Sequence, residues 1–475
     1  MKNKSELYQR NFQRLEKSSL SGLEDFEYPE HRHIEFCRSE TDLLNLCKKV
    51  DEETYYYYDQ IDPMLEAGIW FSTLNLKNTQ IIFVYGLGLG YYYKAAEEWL
   101  KEDPRRSLVF IEDDPEVLDC FLDTEYAEKV LANSSVKICF FKTLDRSLAK
   151  FDKICRNFVG LNHKVTALGL YLKQRSSELM RINNILSFLM KMHQIEHEEY
   201  KRYSIPFFLS YYLNLFTLPD SYLAKPLWGS FKNIPAIICG AGPSLVKNVE
   251  LLKTLKDKAL LFGGSTSMNA LNAYGILPHF GVGIDPNSAQ LNRIITSQAF
   301  QIPYFINFRM NSFAVNAVHG DHLYVNGAGT YDIAKWVDKE LGISGPVILE
   351  GYNVINYAFS LAVALGCNPI TFVGVDLAYS NGESYPKLTP EHALYKGQER
   401  FLTKTANEDL IARKDIHGES TFTLWKWLME SMWYSKSALE QKKIEIYNST
   451  EGGIGFPGIE NRTLQDLVDK ELKTS

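Results

Sequence analysis

The chain has 475 residues, of which 45% are hydrophobic and 23% charged, a globular balance with length for two to four units of about 150 residues. Its formal charge of −7, without a long Lys/Arg run, excludes an electrostatic nucleic-acid binder. No apolar run reaches the ~18 residues of a membrane span, and the polar start MKNKSELYQRNFQRLEK lacks the apolar stretch of a secretory signal.

Seven cysteines lie scattered, with no C-x-x-C pair, as expected for buried thiols in a reducing compartment. The expected location is therefore cytoplasmic, with no membrane span and no nucleic-acid partner.

Residues 1–70 read as a polar helical segment ending in the tyrosine run Tyr55–Tyr58. Residues 71–165 read as a Rossmann-like unit. IIFVYGLGLG (81–90) is a strand entering glycines, YYYKAAEEWLKE a helix, and SLVFIEDD (107–114) and VKICFF (136–141) further buried strands. Residues 166–228 read as a helical connector, with PFFLSYYLNLFTL (206–218) as a buried helix too short to cross a membrane.

A second α/β unit covers 229–425. Its predicted strands are AIIC before Gly240, ALLFGG (259–264), HFGVGID (279–285), YFINF (304–308), PVILE (346–350) and PITFVGVDL (369–377). NVINYAFSLAVALG (353–366) reads as an apolar helix that Gly366 caps. Residues 426–475 read as a C-terminal helix and cap: an amphipathic helix over 423–443, then a short strand IEIYN (444–448) and the glycine turn of STEGGIGFPG. The predicted fold class is α/β: two Rossmann-like parallel-sheet units joined by a helical connector, with a helical C-terminal region.

Three segments carry candidate chemistry. In Gly240-Ala241-Gly242-Pro243-Ser244 a strand runs into glycines, then into a proline and serine able to open a helix. Glycines admit close backbone approach, and free N–H groups at a helix start favour phosphate or carboxylate. The same pattern also serves as a plain tight turn. In Gly374 to Tyr385 a buried strand ends at Asp376, followed by a polar loop with Tyr379 and Tyr385. Two phenols beyond a strand's carboxyl end suit a phosphate leaving group, although such tyrosines also pack onto sheets. The third segment, Asp415 to Thr421, sets His417 beside Gly418, a residue type suited to general-base work and equally common as a bystander.

Together these segments resemble the bacterial sialyltransferases of glycosyltransferase family 42. The matching pieces are Gly240 to Leu245 for G-x-G-P-S-L, Ala364-Leu365-Gly366, Gly374-Val375-Asp376, Tyr379 to Tyr385 for Y-x-N-G-x-S-Y, and His417 with Thr421 for H-x-x-x-T. The resemblance implies that Tyr379 and Tyr385 hold the departing CMP phosphate and that His417 deprotonates the acceptor hydroxyl. It further implies that Gly240, Gly242, Pro243 and Ser244 line the nucleotide end, with Ser265, Asp285, Asn353 and Asp376 toward the donor. The chain departs from the pattern at Ala241, where Asn is frequent, and at Glu350-Gly351-Tyr352-Asn353.

A wider resemblance, through VYGLGLG with FIEDDPE, GAGPSL, GVDLAYSNG and IYNSTEGGIGFPG, is to the Maf-type (motility-associated factor) glycosyltransferases, whose domain family also includes archaeal pterin diphosphokinases. It implies a metal-independent, inverting transfer of a nonulosonic acid (sialic-, pseudaminic- or legionaminic-type) from a CMP-activated donor to a protein acceptor such as flagellin, with no cofactor beyond that donor. No D-x-D motif ends a strand in 229–425. Two alternatives are a Mg/ATP pterin diphosphokinase using Asp285 and Asp376, and a non-catalytic interaction protein. The motif Gly86-x-Gly88-x-Gly90 with Glu112 also resembles an S-adenosylmethionine site, but the bulky Tyr91-Tyr92-Tyr93 favours a packing role.

Overall fold

The computed structural model describes residues 4–18, 20–295, 298–327, 331–380, 382–387 and 410–470. The chain divides into two compact units, 1–197 and 198–475.

In the first unit, helix α1 (Glu6–Glu16) precedes a three-stranded antiparallel sheet of β1 (Ile34–Arg38), β2 (Leu44–Val50) and β3 (Glu53–Tyr56). This corrects the all-helical reading of 1–70. The β-branched and aromatic content of IEFCR and ETYY suits paired strands. After α2 (Pro63–Thr73), a parallel sheet in the order β6-β5-β4-β7 is built from β4 (Ile81–Tyr85), β5 (Ser107–Glu112), β6 (Val136–Phe140) and β7 (His163–Ala167).

Helices α3 (Tyr91–Glu102), α4 (Pro115–Leu122), α5 (Glu125–Ala132) and α6 (Leu148–Arg156) connect these strands. All five residues of β4 are buried, which is why it reads as an unbroken apolar run. Full burial of each such aliphatic or phenyl side chain contributes roughly 1.5–3 kcal/mol.

The glycine turn after β4 is filled by the protein itself. Gly86, Gly88 and Gly90 all adopt positive φ. Into this turn the Tyr58 hydroxyl donates to the Leu87 carbonyl (3.2 Å) and accepts from the Leu89 N–H (3.0 Å). Glu112 accepts from the Leu87 N–H at 2.8 Å and from the Tyr171 hydroxyl at 2.7 Å. A Cβ on Gly88 would sit 2.8 Å from the Tyr58 ring.

Helix α7 (Gly169–Gln174) leads to α8 (Ser176–Asn214), which starts in the first unit and ends in the second. The expected helical connector is thus made mainly by α8. Residues 206–218 are not wholly buried: Phe207 and Tyr211 pack inward, whereas Leu209, Leu213 and Phe216 are exposed.

Among the described residues the second unit holds a nine-stranded sheet in the order β18-β17-β14-β9-β10-β11-β12-β13-β8. Its strands are β8 (Tyr222–Leu223), β9 (Ala236–Cys239), β10 (Leu260–Gly264), β11 (Phe280–Gly283), β12 (Tyr304–Ile306), β13 (His322–Tyr324), β14 (Ile370–Val373), β17 (Ile446–Asn448) and β18 (Glu460–Asn461). All neighbours are parallel. Strands β15 (Leu410–Lys414) and β16 (Ser420–Leu424) form a separate antiparallel hairpin, followed by the helix Trp425–Glu440.

Two expectations change here. PVILE (346–350) is not a strand, because its backbone makes no ladder; Val347 and Leu349 are exposed. Nor does a domain end at 425, because β17 and β18 extend the main sheet by pairing beyond β14. From β9 the chain runs outward through β10, β11, β12 and β13, whereas β14 and β17 lie on the other side. The order therefore reverses between β9 and β14, the place where open α/β sheets leave a crevice.

Candidate functional site at the sheet switch point

The two strands flanking the reversal end in the first two sequence segments. After β9, the Gly240 N–H bonds the Val373 carbonyl (2.8 Å) and the Gly242 N–H bonds the Gly374 carbonyl (2.7 Å). The turn is thereby laced to the end of β14. Pro243 then opens a short 3-10 helix to Asn248, where its missing N–H costs nothing.

Asp376 is the hub of the site. Its carboxylate accepts from the Ser244 hydroxyl (2.5 Å), the Ser244 N–H (3.3 Å) and the Ser380 hydroxyl (2.6 Å). Burial raises its pKa from the ordinary 3.8, and the serine hydrogen bonds oppose that rise.

The third segment forms the turn of the β15–β16 hairpin. Asp415 accepts from the N–H groups of His417 and Glu419, both at 2.9 Å, and Gly418 supplies positive φ. The hairpin is tied to the strand-end loop: the Tyr379 N–H bonds the Phe422 carbonyl (2.8 Å), and the Thr423 hydroxyl bonds the Leu377 carbonyl (2.6 Å).

A fourth segment, which sequence reasoning left without a chemical role, closes the floor. The loop after β17 puts Gly453 against Asp376, where a Cβ would overlap its backbone. The Ile454 N–H bonds the Asp376 carbonyl (3.0 Å), and the Ile416 N–H bonds the Gly453 carbonyl (2.9 Å).

These segments enclose a pocket of about 220 Å³. Pro243, Ser244 and Lys247 line it from after β9, and Asp376 and Ser380 from after β14. His417, Thr421 and their neighbours come from the hairpin, and Gly452 and Gly453 from the β17 loop. Lys247 and Ser380 were missed in the sequence. Their signal was position: each lies within five residues of Gly242 or Asp376.

The remaining predicted residues lie outside this lining. Tyr379 is half-buried, its ring tilted against Trp427 with centroids 4.9 Å apart. Tyr385 is partly exposed in the bend after the Ser380–Glu383 bridge. Ser265 opens the helix after β10; its side chain and Asn381 are outside the described residues.

Asp285 follows β11, where its charge acts on Arg309, Lys426 and Glu430. Asn353 caps the helix Val354–Leu365 by accepting from the Asn356 N–H at 2.7 Å, and it hydrogen-bonds Glu430. Asp285 and Asn353 thus belong to a second polar cluster at the sheet's carboxyl edge. Its centre is the ion pair Arg309–Glu350, with Lys426 on Glu199 at 2.6 Å.

A larger hollow of about 570 Å³ is lined by Leu213, Phe216, Phe313 and neighbours. None of the predicted site residues borders it. Among the described residues no His/Cys/Asp/Glu group could hold a metal ion, and no helix is long and apolar enough to cross a membrane.

Residues 209–382 match the family described as 6-hydroxymethylpterin diphosphokinase MptE-like. In fold, the chain is similar to the solved Maf glycosyltransferase from Magnetospirillum magneticum AMB-1, with a TM-score of 0.62 at 15% identity over 97% of this chain and 73% of that one. MNMC2 from Aquifex aeolicus aligns over 30% of this chain and 56% of its own, at 15% identity and a TM-score of 0.18, too low for any argument. No curated protein matches the sequence.

Proposed function

We propose that the second unit is a glycosyltransferase that moves a nonulosonic acid from its CMP-activated donor onto an acceptor hydroxyl, with a protein such as flagellin as acceptor. The observation that carries the reading is the meeting of Ser244, Asp376, His417 and Thr421, from three separated segments, around one pocket at the switch point. The fold shared with a Maf glycosyltransferase supports it.

The acceptor oxygen attacks the anomeric carbon while the bond from that carbon to the phosphate oxygen breaks. The bonding pair leaves with CMP, the configuration inverts, and the hydroxyl proton passes to His417. The Ser244 turn and Lys247 border the place where negative charge develops, the kind of preorganised stabilisation that lowers such barriers. Tyr379 and Tyr385 complete the phosphate's surroundings in this reading once the donor is bound. A pocket of about 220 Å³ suits the reacting end of the donor, being below the roughly 300–1,000 Å³ of pockets that enclose a drug-sized ligand. With the phosphate held by protein donors, the transfer needs no metal.

The test is ligand-dependent thermal stability. Binding to the native state alone raises apparent stability by mass action. CMP should stabilise the chain with EDTA present, and a CMP-nonulosonate should release CMP. Stabilisation by ATP with Mg²⁺ and none by CMP would establish instead the diphosphokinase chemistry named by the matching family.

A further inference from the structure

The loop after β17 contains a non-glycine residue in the left-handed region: Glu451 has φ of +57°. Such a conformation is uncommon for a residue with a side chain and persists only where surroundings impose it. They do so here. The Thr450 hydroxyl accepts from the Val375 N–H (3.2 Å), Gly453 is jammed against Asp376, and Glu451 Oε1 accepts from the Leu464 N–H (3.1 Å).

The turned backbone aims the Glu451 carbonyl at two site residues at once. It lies 2.6 Å from Lys247 Nζ and 3.2 Å from His417 Nε2. A carbonyl oxygen only accepts, so in neutral His417 the Nε2 must carry the proton, and Nδ1 is left with the lone pair.

We infer that Glu451 is a positioning residue whose backbone carbonyl fixes His417 as the Nε2–H tautomer, makes Nδ1 the proton-accepting nitrogen, and anchors the Lys247 ammonium beside it. The role in turnover rests on the reading of His417 as the base; the tautomer does not. The charged groups lining the pocket with His417 are Asp415 and Glu419 on its own hairpin, Lys247 after β9 and Asp376 after β14, whereas the Glu451 carboxylate turns to the Leu464 N–H. None of these carboxylates is hydrogen-bonded to its ring among the described contacts, so the carbonyl is what orients it.

The experiment uses the full chain with ¹⁵N-labelled histidine ring nitrogens, the His417 signals being assigned by their loss in His417→Ala. The expected result, above the ring's titration, is a pyrrole-type Nε2 and a pyridine-type Nδ1. A dominant Nδ1–H form would overturn the inference, whether or not the protein transfers any sugar.

A pair of variants reads the catalytic consequence. Glu451→Gly keeps access to positive φ although it gives up the Leu464 contact, and kcat should fall clearly less than in Glu451→Val. Glu451→Val disfavours that φ and should lower kcat about 10–100-fold, the range for lost outer-shell orientation, with the donor KM little changed. Equal losses in both variants would point to the side chain and overturn the carbonyl's role. If Glu451→Val does not fold, the wild-type spectrum and Glu451→Gly still decide.

Discussion

Asp376 occupies the space that any side chain at Gly242 would need: a Cβ built on Gly242 would lie 2.6 Å from its Cγ and 2.9 Å from its Cβ. The glycine is required by a carboxylate from another strand, not by its own backbone angle, which is ordinary at φ −74°. Asp376 cannot move aside freely, since it accepts from both Ser244 and Ser380.

Gly242→Ala should therefore displace Asp376 and break the Ser244–Asp376–Ser380 bracket. Overpacking of this kind costs about 1–3 kcal/mol, read by urea unfolding, and stabilisation by CMP should disappear. Gly68→Ala, at a helical position where an added Cβ meets nothing within 4 Å, is the control and should leave both unchanged or slightly improved.

β4, β9 and β14 were legible because both faces are buried, which leaves an apolar run bounded by glycine. PVILE has the same composition and no ladder, so composition alone misled. β8 and β18, of two residues each, are too short to show a period and exist only through pairing at the sheet edges. The motif segments at Gly242, Asp376 and His417 were legible as candidates, and the fold brings them to one pocket. Glu451 was not, because its contribution is a carbonyl direction that no side-chain pattern encodes.

In the first unit, Tyr58 is the side chain that fills the glycine turn. Tyr58→Phe should leave the Leu89 N–H without its buried partner, while the Leu87 carbonyl keeps the Gly90 N–H at 3.1 Å, costing about 1–3 kcal/mol. Denaturant unfolding measures this. The wild-type chain should show no thermal shift with S-adenosylmethionine; a saturable shift would mean that Tyr58 yields the turn to a ligand.

His417 and Tyr379 should separate kinetically. Loss of a general base typically lowers rate by ~10²–10⁴, so His417→Ala should lose turnover in that range and retain CMP affinity. If Tyr379 holds the leaving phosphate as proposed, Tyr379→Phe should slow both transfer and donor hydrolysis, since such a contact serves either nucleophile. Parallel assays of transfer and hydrolysis check this. Loss of CMP binding in His417→Ala would assign the histidine to the nucleotide instead.

Glu430 supplies the pH prediction. It lies in the helix Trp425–Glu440 and is buried, with Lys426 one turn before it and the Asn353 side chain hydrogen-bonded to it. Burial pushes its pKa up from 4.5 to about 7; Lys426 and Asn353 pull the other way, whereas Glu199 and Asp285 add to the rise. The folded state therefore holds this proton more tightly than the unfolded chain. The associated stability is fully present below pH 4.5, declines as pH rises, and is gone above about pH 7. A shift of that size corresponds to about 3 kcal/mol. Glu430→Gln keeps the volume and a group able to pair with Asn353 while removing the titration. The stability of wild type relative to Glu430→Gln should thus fall by about 3 kcal/mol between pH 4.5 and pH 8, measured by urea unfolding at closely spaced pH. The relative measurement cancels the titration of distant carboxylates, which both chains share. A difference that stays constant with pH would mean that Glu430 is already ionised at pH 5, with Lys426 outweighing burial.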